Sequence, residues 1–153
     1  MAGKPKRNRW VKINKNTKRV IPSEHAEQVT LIEWAKLVQG HHPGLDFLYA
    51  VPNGGLRHPS IAKALNAEGV KSGVPDLCLP VPRSGFHGLY MEMKARDGDL
   101  SNNQVRWLTA LRSNGYAACV AYSFDQARQI LVDYLEDRLS PDKLGDIGKK
   151  GEE

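Results

Sequence analysis

Gly73-Val74-Pro75-Asp76-Leu77-Cys78-Leu79-Pro80-Val81, followed after a short Pro/Arg/Ser/Gly loop by Gly88-Leu89-Tyr90-Met91-Glu92-Met93-Lys94, reads as two strands joined in a hairpin. Each run is short, apolar and bounded by Gly or Pro, which is the signature of a strand rather than a helix. Side chains alternate along a strand, so Glu92 and Lys94 project to one face while Met93 turns to the other. Pairing of the two runs brings Asp76, at the entry of the first, close to both.

Working outward toward the N-terminus, residues 46–51 read as a further strand, stopped by Pro52-Asn53-Gly54-Gly55. Pro59 opens a short helix that Gly69 closes. Earlier still, Pro22-Ser23 opens a helix to about Gln39, with Ser23 as cap and Leu31, Trp34, Ala35 and Val38 at helical spacing. Toward the C-terminus, Ser101 and Gln104 form a capping box flanked by Leu100 and Val105 as a hydrophobic staple, and the helix they open ends at Asn114-Gly115. Tyr116 to Tyr122 is a strand, and Ser123 with Gln126 begins a last helix to about Leu139. The order predicts an α/β domain, a mixed β-sheet flanked by helices. With 153 residues, one domain is expected: a basic arm over 1–22, expected to be disordered, the domain over 23–139, and a flexible tail over 140–153.

Hydrophobic content of 41% and charged content of 25% are globular values, and no apolar run approaches the roughly 20 residues that cross a bilayer. No membrane association is expected. An N-terminus without an apolar leader, and Cys78 and Cys119 in apolar segments, predict buried reduced thiols and a cytoplasmic protein. The net charge is +5, yet residues 1–20 carry eight Lys or Arg, among them Lys4, Lys6, Arg7 and Arg9, and no acid. The remainder is therefore mildly acidic, and the arm suits a polyanion such as nucleic acid, although basic tails also serve merely to solubilise.

Two carboxylates at close range repel unless a cation lies between them, and hard oxygen ligands select Mg²⁺ or Mn²⁺. Asp76 and Glu92 supply such oxygens, and the backbone carbonyl of Met93 is a third donor. A divalent ion bound there would polarise a phosphodiester and acidify water, and Lys94 beside it could orient or deprotonate the attacking water and offset charge on the phosphate. Glu-x-Lys alone is equally the pattern of a cross-strand ion pair. The Pro-Asp entry one strand earlier gives it chemical content. His25, His41, His42, His58 and His87 show no zinc spacing with the cysteines, and no phosphate-cradling Gly-rich loop with Lys-Ser/Thr exists.

The sequence resembles the VRR-NUC (virus-type replication-repair nuclease) domain of the Pro-Asp…Asp/Glu-x-Lys nuclease superfamily over about residues 23–135. The resemblance rests on Ser23 to Gln28, Pro52 to Gly55 with Arg57, Gly69 to Leu77, Gly88 to Lys94, Leu100 to Gln104, and Gly115-Tyr116. It implies a restriction-endonuclease-like core and a Mg²⁺- or Mn²⁺-dependent endodeoxyribonuclease in replication, repair or recombination, often on branched DNA. It further implies metal ligands at Asp76 and Glu92, a catalytic Lys94, and a first-helix acid at Glu24, with Gln28 one turn later and Glu27 a rival. Gln104 matches a family glutamine but is also a capping residue. Asn53, Gly54, Gly55 and Arg57 would form a DNA-facing loop near the site. The chain looks like the small phage and bacterial members, acting in the cytoplasm of a bacterium or phage-infected host. Membership of the superfamily implies products with 5′-phosphates, and the likeness of the small members to Holliday-junction resolvases in size implies a homodimer, since symmetric cutting of two strands needs two active sites. Flaps, nicks or linear duplex as substrate, or a non-catalytic DNA-binding or assembly protein on this fold, are the other readings.

Overall fold

The computed structural model describes residues 9–14, 16–52 and 58–148. Strands β1 (Val11–Ile13) and β2 (Val20–Pro22) form a separate antiparallel hairpin. Then follow α1 (Glu24–Val38), a 3-10 turn (Leu45–Phe47), β3 (Tyr49–Ala50), α2 (Pro59–Ala67), β4 (Leu77–Leu79) and β5 (Leu89–Met93). Helix α3 (Asn102–Ser113), β6 (Ala117–Ala121), α4 (Phe124–Leu135) and a 3-10 turn (Pro141–Leu144) complete the chain. The main sheet has the order β3-β4-β5-β6, antiparallel except for the parallel pair β5–β6, which α3 connects.

Strand alternation sorts this sheet into two cores. Leu77, Leu79, Leu89, Met91, Met93, Ala117, Cys119 and Ala121 pack with Leu31 and Ala35 of α1 and Ala127, Leu131 and Tyr134 of α4. Ala118 and Val120 turn the other way, onto Leu100, Leu108 and Leu111 beneath α3. Tyr90 joins this second core, so Glu92, two residues on, lies on the α3 side of β5. The two free, buried cysteines, Cys78 and Cys119, belong to strands separated by β5.

The caps form as the sequence implies. Ser23 Oγ accepts from Ala26 N at 3.1 Å, and Ser101 and Gln104 make both bonds of the capping box. Ser123 Oγ accepts from Gln126 N at 3.2 Å, while Gln126 Oε1 accepts from Tyr122 N at 2.8 Å.

Four expectations are corrected. Within the stretch read as a disordered arm, Val11–Ile13 and Val20–Pro22 pair as the hairpin, because Asn14 Oδ1 accepts from the Asn16 and Thr17 amides in its turn and Ser23 N bonds the Trp10 carbonyl. The strand expected over 46–51 begins with the 3-10 turn, which buries Leu45 and leaves only two residues to pair. The flexible tail is also revised up to residue 148. Leu139 and Leu144 are buried, and Arg112 donates to the carbonyls of Ala118 and Leu144 at 2.8 and 3.0 Å. Helix α4 stops at Leu135 rather than Leu139 because Asp137 adopts a φ of +56° and its carboxylate accepts from Ser84 N.

Candidate active site

The register Leu77↔Met91, continued by one residue, sets Asp76 opposite Glu92 at the mouth of the β4–β5 hairpin. Asp76 Oδ2 accepts from the Met93 amide at 2.8 Å, which locks the carboxylate beside β5. Glu92 is 3% exposed. Its Oε1 accepts from Gln104 Nε2 and lies 3.7 Å from Lys94 Nζ, whereas Oε2 is buried with no hydrogen-bond partner. Lys94 is itself largely buried.

This is an electrostatically unfavourable arrangement for the protein alone. Burial first, and the charge of Asp76 second, push the Glu92 carboxyl up to about 8 against the opposing pull of Lys94. Asp76 is raised as well, chiefly by burial, with its hydrogen bond from Met93 acting in the other direction. Glu24 adds a further repulsive contribution to both.

The structure separates the two first-helix acids. Glu24 Oε1 accepts from Ala95 N at 3.3 Å and from Lys12 Nζ at 3.2 Å, just past the end of β5. Glu27 Oε2 instead accepts from Phe124 N at 2.7 Å and so caps α4. Gln28 is half-buried one turn after Glu24. Gln104 makes two contacts: Oε1 accepts from Ser101 N at 2.8 Å in the capping box, while Nε2 donates to Glu92 Oε1. Met93 buries its side chain in the larger core and contributes backbone to the site. Arg9 is exposed, and its carbonyl accepts from the Ser23 hydroxyl. Asn53, Gly54, Gly55, Arg57, Lys4, Lys6 and Arg7 lie outside the described residues.

Lys12 is the residue that sequence reasoning missed. It was legible only as arm charge, although Val11-Lys12-Ile13 ahead of an Asn-rich turn is a hairpin pattern that sends Lys12 inward.

Among the described residues no three His, Cys, Asp or Glu side chains already converge on one point. The donor set nonetheless fits a hard divalent cation: a buried carboxylate oxygen lacks a partner, and the surrounding carboxylates repel one another.

The sequence profile of the VRR-NUC domain matches residues 16–125. The chain belongs to the VRR-NUC domain family. A solved structure of a VRR_NUC domain protein is similar to it, with a TM-score of 0.63 and 27% identity, covering 81% of this chain and 91% of that one. No curated protein matches the chain. The fold expected from the resemblance, a mixed α/β nuclease-type domain, is the fold observed. Membership of the VRR-NUC family implies a nuclease-type fold and DNA binding, and the family generally uses divalent metals. Among the described residues no helix is long and apolar enough to cross a membrane.

Proposed function

We propose that the chain is a Mg²⁺- or Mn²⁺-dependent endonuclease that hydrolyses DNA phosphodiester bonds, acting on branched DNA of the four-way-junction kind. One observation carries the reading: the partnerless Oε2 of buried Glu92, beside Asp76 and with Lys94 3.7 Å from its other oxygen.

Asp76, Glu92, Glu24 and the Met93 carbonyl are the groups to hold the ion, which when bound supplies Lewis acidity toward the scissile phosphate. Gln104 fixes Glu92 through Oε1 and leaves Oε2 for that role. The Met93 amide does the same for Asp76. Lys94 orients the attacking water and stabilises charge developing on the phosphoryl oxygens. Attack opens the bond to the 3′ oxygen and leaves a 5′-phosphate.

Symmetric cutting of two strands needs two sites related by a two-fold axis, which calls for a homodimer. Val11, Ile13 and Val20, exposed on one face of the hairpin, supply apolar surface for such an assembly. Arg9, Lys18 and Arg19 are exposed nearby and suit the DNA backbone. Two buried free thiols favour the reducing cytoplasm of a bacterium or phage-infected host.

The test is cleavage of labelled four-way junction, 5′ flap, nicked and linear DNA by the wild type and Lys94→Ala, each with Mg²⁺, Mn²⁺ or EDTA. Metal-dependent cutting, strongest on the junction and lost in the variant, is expected. A stronger signal on flap, nick or duplex replaces the substrate. Binding without cutting on every substrate replaces the enzyme with an assembly protein.

A further inference from the structure

Two adjoining cavities, of about 500 and 330 Å³, open beside the candidate active site and share Lys71 and Trp107 in their walls. The larger adds Ser72, Asn103 and Arg106, and the smaller is lined mainly by apolar groups such as Val51, Pro52 and Val74. Both volumes fall within the roughly 300–1,000 Å³ typical of small-ligand sites. The walls are tied to the site through neighbouring residues of the chain. Asn103 Nδ2 donates to Ser72 Oγ at 2.8 Å, clasping the loop before β4 to α3. The next residue, Gln104, holds Glu92, and the residue after Ser72 is Gly73, three positions before Asp76.

The lining chemistry is selective. Lys71 and Arg106 are exposed cations, Trp107 is a half-buried indole, and no acidic side chain lines either cavity among the described residues. Cations beside an aromatic plane and a few neutral polar groups are what an unstacked nucleotide requires, with phosphate on the charges and base on the ring. Bases within a continuous duplex are stacked on each other and do not enter such a groove, so a duplex does not draw its phosphates down onto the cations that line it.

We propose that this groove holds an unpaired nucleotide of the DNA substrate, its base stacked on Trp107 and its phosphates on Lys71 and Arg106. The proposal rests on the nuclease reading for its place beside the scissile bond, and it makes a separate claim about binding. It gives the site a means to prefer flaps, where bases are unpaired, and branch points, where stacking is interrupted and a base is more readily drawn out, over continuous duplex.

The experiment is fluorescence anisotropy with a labelled oligothymidine and a labelled duplex of equal length, in EDTA so that cleavage does not enter. Trp107→Ala is expected to weaken single-strand binding by at least about tenfold, the scale of one lost base stack, and duplex binding by less than about twofold. Trp107→Phe keeps most of the single-strand affinity. Because Trp107 also packs on the second core, Lys71→Glu and Arg106→Glu provide variants that leave the core intact. Each must weaken the single strand more than the duplex. Equal losses on both ligands, or no loss on either, overturn the proposal. A wild type that cuts no DNA yet shows this ordering removes the nuclease reading and leaves the groove. Metal-dependent cutting with unchanged binding in every variant does the reverse.

Discussion

Glu92→Gln keeps the length of the side chain and an oxygen to accept from Gln104, while removing the buried charge. In the folded wild type the Glu92 carboxyl is raised from 4.5 to about 8. Its proton is therefore bound more tightly in the folded chain than in the unfolded one. Below pH 4.5 both states are protonated; between 4.5 and 8 only the unfolded chain releases its proton, so stability falls as pH rises; above 8 the loss is complete. At about 1.4 kcal/mol for each pH unit, the full loss is of order 5 kcal/mol, an upper bound because Asp76 and Glu92 titrate together. Asp76, raised in the same direction, adds to the same slope. Urea unfolding followed by circular dichroism in EDTA, from pH 5 to 8.5, reads this directly. The wild type should lose several kcal/mol relative to Glu92→Gln across that range, and Mg²⁺ or Mn²⁺ should return part of the loss at high pH only in the wild type. Parallel curves for the two proteins would refute the argument that like charge is stored at this site.

Glu27→Gln should lower stability by about 1–3 kcal/mol through the weakened cap on α4, with cleavage per folded molecule retained; Glu24→Gln should do the opposite, seen by pairing urea midpoints with single-turnover rates. Ser101→Ala removes only a cap and should cost about 1 kcal/mol without changing cleavage. Gln104→Glu keeps a residue able to complete the capping box yet replaces the donor to Glu92 with a further carboxylate, so it should lose activity together with stability, the latter most above neutral pH, and normal activity in that variant would show that Gln104 only caps. Gly73→Ala should be destabilised by about 1–3 kcal/mol or more, since Gly73 has a φ of +85° and a Cβ there would lie 2.6 Å from the Asn103 backbone; an unchanged urea midpoint would contradict that close approach.

Much of the domain was legible because its determinants are local. The Ser23, Ser101 and Ser123 caps, the alternation through Leu89 to Met93, and the placing of Asp76 against Glu92 each depend on residues near in sequence or on one hairpin register. Pro80 explains why β4 ends at Leu79 rather than Val81, since it has no amide to continue the ladder. What the amino-acid sequence left open were choices between neighbours of equal local merit. Glu24 and Glu27 sit three residues apart on nearly the same helical face; only the docking of α4 against α1 turns Glu27 to Phe124, and only the hairpin and the end of β5 surround Glu24 with Lys12 and Ala95. The hairpin itself is too short to hold by strand propensity and depends on its ties to the start of α1. The groove at Trp107 joins residues as far apart as Val51 and Ala110, and no local pattern announces it. Alternation and capping are properties of a segment and survive in the sequence alone, whereas which side chain meets which partner across layers exists only once the sheet and helices have packed.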